Sequence, residues 1–409
     1  MTALAQSLLC CVGVVALWSL VSAKLASWRV SAPLAIASAG AVVGWFFRPE
    51  IVTVLNYHVT EQIVELVLAA LLFSDSLRVE GKMLGSSPSV ALRLLLLALP
   101  LSLALAAGAA WLLLPEYGFA VALLIACVIM PIDMAPATAI LTDNRLTRRV
   151  RSALNVESGY NDGVVAPIFV FALAMITATS VDSVTTSIGK ALLASTVSLL
   201  VGSAVGLTFG WAMKVALRRQ WATASSLSIG VLAIPLVTFS VAILLHGNGF
   251  VAAFVAGVAV HLCARAELRP HTALTEQFVE CTSLVVWFVF GVVAAYIAYL
   301  GLDWRVVVIS VLALTVVRLV PVCLALVGSG LDGVDRLASS ILGPRGITTI
   351  VLGLLAFNAL DDDIGVIVLQ AMIVTISLSL LLHGLGSSYM VRQLSRVRTR
   401  SPHIGSALC

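Results

Sequence analysis

The chain has 409 residues, of which 60% are hydrophobic and 11% are charged, and its formal net charge is +4. Soluble globular domains contain about 45–50% apolar and about 25% charged residues, whereas the mean hydropathy of this chain is +1.09. These values exclude a soluble domain, a disordered chain and a nucleic-acid-binding protein. The seven cysteines form no CxxC pair and no cluster with histidine, so the sequence favours neither a disulfide framework nor a zinc site.

Apolar runs long enough to cross a membrane, about 20 residues each, occur thirteen times along the chain. Their predicted bounds are 3–23, 30–47, 60–76, 91–114, 118–141, 152–178, 188–213, 222–245, 248–264, 277–300, 304–328, 336–358 and 364–390. The first run has no charge before Lys24, so it lacks the basic start of a signal peptide and is predicted to be a membrane helix. The connection from Arg48-Pro49-Glu50 to His58 is amphipathic and suits the membrane interface.

The basic residues orient these spans. Nineteen of the 24 Lys and Arg residues fall in one set of alternate connections, and three, Arg48, Lys190 and Arg305, fall in the other. Because cytoplasmic connections carry the excess of positive charge, we predict an outside N-terminus and a cytoplasmic C-terminus in the plasma or inner membrane. No linker divides the chain, so we expect one membrane domain over residues 1–390 and a short basic cytoplasmic tail over 391–409.

Ionisable side chains inside spans cost about 2.5–3.5 kcal/mol even on the lenient insertion scale, so they indicate functional positions. The candidates are Asp75, Asp133, Glu157, Asp162, Arg318 and Arg345. Glu157 and Asn161 are four residues apart, as are Ser158 and Asp162, which predicts one polar stripe on a helix face. Asp162 lies eleven residues beyond Arg151, roughly 16 Å into a bilayer core about 30 Å thick.

Two predicted helix breaks lie at similar depths. Pro131 and Pro136 bracket Asp133 in the fifth span, and a Gly-Pro-Arg-Gly run at 343–346 interrupts the twelfth. Proline breaks the helical hydrogen-bond ladder, and irregular backbone at this depth must be buried in protein or line a cavity. Paired breaks are typical of inverted-repeat transporters, which predicts repeats over helices 1–6 and 8–13 joined by helix seven.

The run Asn-Val-Glu-Ser-Gly-Tyr-Asn-Asp-Gly at 155–163 resembles the Glu-Ser-x-x-Asn-Asp motif of the electroneutral sodium/proton antiporters, the NhaP/NHE branch of the monovalent cation:proton antiporter family. Residues 71–75, 249–257 and 343–346 resemble further family segments, so the resemblance covers most of the chain. It implies an all-α polytopic membrane fold of about 13 helices with inverted six-helix repeats. In this NhaA-like fold, discontinuous helices 5 and 12 cross, core helices are distinct from dimerisation helices, and a homodimer is usual.

The same resemblance implies exchange of Na⁺, or of Li⁺ or K⁺, for H⁺, with no cofactor beyond the transported ions. It matches Asp162 to the aspartate that carries the cation and the proton. It matches Asn161 and Ser158 to the companions of that aspartate, and Asp133 to the aspartate of the unwound helix. The family's threonine before this second aspartate is Ile132 here, so a main-chain carbonyl, and no hydroxyl, is expected to face the cation at this position.

The remaining intramembrane charges are expected to support the site. Glu157 matches a family glutamate that pairs with a buried arginine, for which Arg318 is the first choice and Arg345 the second. Asp75 lies beside Arg78 near the end of its span, so an interfacial ion pair competes with a role in the ion path.

One carboxylate shared by a cation and a proton predicts electroneutral exchange by alternating access, and oxygen ligands suit a hard alkali cation. Two alternatives stay open: a cation-coupled symporter of an organic solute with the same architecture, and a non-transporting membrane sensor or scaffold. An intramembrane enzyme is not expected, because no metal-ligand spacing such as HExxH occurs and the six histidines are scattered. The expected partners are the ions, the lipid bilayer and a second copy of the chain.

Overall fold

A computed structural model describes residues 2–28, 30–46, 58–78, 84–177, 183–360 and 362–400. Within these ranges the regular structure is helical and contains no strand. Two predicted features lie outside the described residues: the connection around Arg48-Pro49-Glu50, and residues 401–409 of the predicted tail.

The helices follow one another in chain order. They are α1 (Thr2–Ser27), α2 (Ala32–Phe46), α3 (His58–Arg78), α4 (Pro88–Leu113), α5 (Gly118–Ile129), α6 (Ala139–Thr142), α7 (Arg148–Thr177), α8 (Ser183–Arg218), α9 (Ala224–Leu244), α10 (Gly249–Leu268), α11 (Ala273–Leu300), α12 (Trp304–Leu314), α13 (Val316–Ala325), α14 (Gly333–Ile341), α15 (Ile347–Ala359), α16 (Asp362–Ser379) and α17 (Ser387–Arg400). A π turn lies within α4 at Leu94–Ala98, and a second follows α16 at Leu380–Leu385.

Each of the thirteen predicted spans overlaps one or two of these helices. Among the described residues, nine helices are long and apolar enough to cross a membrane, and shorter apolar helices cover 32–46, 115–129 and 347–359. The predicted all-helical class is confirmed, whereas the number of thirteen spans and the inverted repeat stay predictions.

Both predicted helix breaks are present. In the first, α5 ends at Ile129 and helical geometry resumes only at the 3₁₀ turn Ala135–Ala137, with Pro131 between them. The second break occupies residues 342–346 between α14 and α15 and contains Pro344. Proline lacks the N–H that would continue the helical ladder, which accounts for the position of each break.

Two features differ from the predicted spans. The eleventh span is divided into α12 and α13 at Thr315, which has φ −118° and ψ −103°. The hydroxyl of Thr315 donates to the carbonyl of Val311 at 2.6 Å, a bond to the preceding turn that bends helices. After the thirteenth span, α17 extends into the predicted tail, so residues 391–400 are helical.

The chain forms two compact units, and the first comprises residues 1–60, 84–158 and 283–409. In this unit the apolar face of α17 buries Val391 and Leu394 in a cluster with residues of the first break and of α14. The last described helix therefore belongs to the core of this unit.

The second unit comprises residues 61–83 and 159–282. Within it, α8 lies close to α10, because Gly202 and Gly206 contact the main chain of Ala252 and Ala256. A neighbouring apolar core joins α3, α9 and α10 around Phe73.

The start of α7 is anchored on both sides. The Thr147 hydroxyl oxygen accepts the N–H of Val150 at 3.3 Å, and the hydroxyl donates to Asp335 of α14 at 2.9 Å. In the preceding connection, Arg145 pairs with Asp143 at 2.6 Å, and its hydrogen-bonded guanidinium holds the pKa of Asp143 below the ordinary value. The two bonds of Thr147 fix the start of the helix that carries the polar stripe.

Candidate functional site

The two helix breaks contact each other in the first unit. The main-chain N–H of Asp133 donates to the carbonyl of Pro344 at 2.8 Å. Buried backbone groups that lack a helical partner must be satisfied elsewhere, so each break supplies a partner for the other. The two predicted breaks, in the fifth and twelfth spans, are therefore in direct contact.

The carboxylate of Asp133 caps two helical segments. Its Oδ2 accepts the N–H of Ile347, the first residue of α15, at 2.9 Å, and its Oδ1 accepts the N–H of Ala135 at 2.8 Å. A negative charge is favourable at a helix N-terminus. Gly346 permits this approach, because a Cβ at that position would overlap Oδ2 of Asp133.

Arg345 supplies the opposite charge at two other helix ends. Its buried guanidinium donates to the carbonyl of Met130, which follows the end of α5, and to that of Ala313 near the end of α12, the latter at 3.2 Å. A cation is favourable at a helix C-terminus. The carboxylate of Asp133, in the first break, therefore stabilises the start of α15, which follows the second break. The guanidinium of Arg345, in the second break, stabilises the end of α5, which precedes the first.

Ser158 links α7 to the first break. Its Oγ accepts the N–H of Met134, the residue after Asp133, at 3.2 Å. A hydroxyl oxygen has a second lone pair, so this bond leaves acceptor capacity. The structure therefore brings two predicted site residues, Ser158 and Asp133, to the same segment.

Glu157 and Arg318 form a buried bidentate ion pair. The two N–O distances are 2.9 and 3.1 Å, and Arg318 also donates to the carbonyl of Ser339 at 3.1 Å. The side chain of Arg318 passes over Gly343, where a Cβ would overlap the guanidinium. Arg318, the first choice of partner for Glu157, therefore forms the ion pair. Arg345, the second choice, binds main-chain carbonyls instead.

Asn161 and Asp162 lie further along α7, in the second unit. Their side chains are buried, with exposed fractions of 1% and 4%. Asp162 follows Ser158 by one helical turn on the same face. Tyr160 lies on another face, where its ring contacts Phe254 edge-on with the centroids 5.8 Å apart. The structure places both polar side chains in the protein interior, where the stripe was predicted to lie.

Ile132 has an apolar environment. It is buried in the cluster that contains Met134 from the first break, Ile140 from α6, Leu154 from α7 and Leu394 from α17. The substitution of an apolar residue for the family's threonine is therefore compatible with local packing.

Asp75 lies on α3 in the second unit and is half-buried. The next residue, Ser76, is buried, donates to the carbonyl of Phe73 at 2.7 Å, and lies against Gly257 of α10. The side chain of Arg78 lies outside the described residues, so a role for Asp75 in the ion path stays a prediction.

Two residues beside the second break, Ser379 and His383, were not among those predicted from the sequence. Ser379 accepts the main-chain N–H of Arg345 at 2.8 Å, and the buried His383 lies one turn further along the chain. A signal existed for His383, because an ionisable residue inside a predicted span indicates a functional position. Ser379 carries no such signal, since serine is common in membrane helices.

A family model described as "Sodium/hydrogen exchanger, transmembrane" matches residues 12–393. The chain belongs to this family. It is therefore a multi-pass membrane protein of a transporter family rather than an enzyme, and the predicted family is confirmed.

Individual sodium/hydrogen exchanger relatives agree with this assignment. A Na(+)/H(+) antiporter of Schizosaccharomyces pombe is 24% identical over 351 residues, which are 79% of this chain and 74% of that protein. The sodium proton antiporter MjNhaP1 from Methanocaldococcus jannaschii at pH 8 has a TM-score of 0.74 at 17% identity, with 97% of this chain and 99% of that chain covered. A further structure of MjNhaP1, from a 3D EM map, gives 0.69 at 16% identity, with 94% and 96% covered. The chain shares the fold of these structures.

Proposed function

We propose that the protein exchanges a monovalent cation, Na⁺ first and Li⁺ or K⁺ as alternatives, for H⁺, and that Asp162 is the shared site of both ions. The match of Asp162 to the family motif at 155–163 carries this proposal, and its 4% exposure in the middle of α7 supports it. Glu157 pairs with Arg318, and Asp133 accepts N–H groups at the starts of two helical segments, so these two carboxylates have structural contacts of their own.

The mechanism follows from competition at one carboxylate. An ionised carboxylate buried away from water requires a neutralising partner, and either a proton or an alkali cation can serve. Because both bind the same oxygens, one displaces the other, and alternating access then moves one cation against one proton without net charge. The proposed further ligands are the Asn161 amide, the Ser158 hydroxyl, the Asp133 carboxylate and the Ile132 carbonyl. All four supply oxygen of the kind that hard cations prefer, and their ligation rests on the sequence alone.

The membrane arrangement is part of the same proposal. The asymmetry of basic residues supports an outside N-terminus and a cytoplasmic C-terminus in the plasma or inner membrane. The homodimer rests on the resemblance, as do the supporting roles of Arg318 and Arg345 as partners of Glu157. The single membrane domain over 1–390 rests on the absence of a linker in the sequence, and the role of Asp75 rests on its position inside a predicted span.

Proton flux in proteoliposomes tests the proposed function. A pH gradient is imposed, and Na⁺, Li⁺, K⁺ or choline is then added to the purified wild-type protein. Collapse of the gradient by an alkali cation, unchanged when the membrane potential is clamped, supports electroneutral exchange and identifies the cation. Uptake of an alkali cation that depends on an added organic solute supports the symporter. The absence of both proton flux and cation uptake under every addition contradicts transport.

Replacing Ile132 with threonine is expected to lower the free energy of unfolding by about 1–3 kcal/mol, because a hydroxyl enters an apolar cluster without a partner. The apparent cation affinity should stay unchanged, since the side chain lies among apolar residues. Thermal unfolding and the cation dependence of proton flux measure the two effects. Ile132→Val, which removes volume without adding a hydroxyl, is the control, and a higher cation affinity in the threonine variant alone would contradict this expectation.

A further inference from the structure

His383 is a buried titratable residue to which the proposed mechanism gives no role. It lies in the π turn Leu380–Leu385 after α16, in the first unit, and is 1% exposed. Turns of this type are frequent at functional sites. Burying a polar ring is costly unless its nitrogens are hydrogen-bonded, so its partners indicate what it does.

Both ring nitrogens of His383 have defined partners. Nε2 lies 2.9 Å from the carbonyl of Ile341, and Nδ1 lies 3.3 Å from the hydroxyl of Ser379. A carbonyl only accepts hydrogen bonds, so Nε2 carries the proton and Nδ1 accepts from the Ser379 hydroxyl. The Ser379 oxygen in turn accepts the main-chain N–H of Arg345 at 2.8 Å.

These bonds bracket the second helix break. Ile341 is the last residue of α14, and Arg345 lies four residues later, beyond Pro344. His383 is therefore bonded directly to one side of the break and, through Ser379, to the other. Because residues 342–346 lack a continuous helical ladder, such external bonds determine their conformation.

Arg345 connects the break to the first one. Its main chain is held by Ser379, while its guanidinium contacts the carbonyl of Met130 at the end of α5. A displacement of Arg345 would remove a positive charge from that helix end. The conformation of residues 341–345 thus influences both breaks.

We propose that His383, acting through Ser379, is a positioning residue that sets the geometry of the two contacting helix breaks and thereby the affinity of the exchanger for its cation. The proposal rests on the proposed function. Both ring nitrogens of His383 are bonded to protein groups, so it acts on the geometry of the break, and its replacement should change the KM for the cation more than the maximal rate.

The test compares His383→Leu, His383→Gln and Ser379→Ala in proteoliposomes. His383→Leu interrupts the chain of hydrogen bonds that runs from Ile341 through His383 and Ser379 to Arg345. It should raise the KM for Na⁺ about tenfold, the change that corresponds to one lost hydrogen bond. The glutamine amide can donate to Ile341 and accept from Ser379, so His383→Gln should stay within about twofold of the wild type. His246→Asn, at an exposed turn residue with φ 56°, is the control and should not change the KM.

Amide hydrogen exchange of residues 341–347 gives a readout that is independent of transport. Exchange should be faster in His383→Leu and Ser379→Ala than in the wild type and in His246→Asn. If His383→Leu does not fold, Ser379→Ala interrupts the same chain of hydrogen bonds with the histidine retained. Unchanged KM and unchanged protection in the folded variants overturn the inference. A wild-type protein that exchanges no cation overturns the proposed function, and altered protection would then still support the positioning of the break.

Discussion

Replacement of Asp162 by asparagine is expected to eliminate cation-driven proton flux while the protein still inserts and folds. Asparagine has nearly the same shape and still forms hydrogen bonds, but it neither releases a proton nor carries a charge that attracts a cation. Asp162 is 4% exposed, so solvent cannot replace the lost carboxylate. The measurement is the recovery of an entrapped pH indicator after Na⁺ addition, normalised to the amount of reconstituted protein.

Asp143→Asn is the matched control for this experiment. It makes the same chemical change in the connection before α7, where Asp143 pairs with the exposed Arg145. Partly exposed ion pairs contribute about 0–1 kcal/mol, so this variant should transport like the wild type. Wild-type flux in the Asp162 variant would contradict the assignment of the shared site.

The helices could be predicted because membrane spans depend on local composition. A run of about 20 apolar residues has few alternatives in a bilayer, since every backbone group must be satisfied internally. The breaks at Pro131 and Pro344 could also be predicted from local sequence, because proline lacks the N–H that the helical ladder needs. The kink at Thr315 could not be predicted, because a threonine bends a helix only when its hydroxyl bonds to the preceding turn.

The contacts of the candidate site depend on distant parts of the chain and could be predicted only in outline. Arg318 and Arg345 are both predicted inside spans, so the sequence left both as partners for Glu157. The actual pairing depends on the main-chain carbonyls that hold Arg345 at two helix ends. Side-chain direction in irregular backbone does not follow a helical or strand period. The sequence therefore did not reveal that Ile132 lies in an apolar cluster.

Removing one half of the Glu157–Arg318 pair is expected to lower the free energy of unfolding by about 3–5 kcal/mol, because the other charge is left buried and unpaired. Glu157→Leu and Arg318→Met are the two single variants. In the double variant neither charge remains, so most of the lost stability should return. Thermal unfolding of the purified protein in detergent, followed by intrinsic fluorescence, measures the coupling between the two positions.

The Asp143–Arg145 pair provides the control cycle. Its members are partly exposed, so Asp143→Asn, Arg145→Gln and their combination should each change stability by about 0–1 kcal/mol. Additive losses in the Glu157 and Arg318 variants would contradict mutual neutralisation as the role of the buried pair.

Transport by the double variant separates the role of this pair from that of Asp162. Glu157 and Arg318 neutralise each other within the first unit, so a folded Glu157→Leu/Arg318→Met protein should still exchange a cation for a proton. Asp162→Asn should stay inactive in either background, because the proton and the cation lose their shared binding group. A folded double variant without exchange would contradict a purely structural role for this pair and would place Glu157 or Arg318 in the ion path itself.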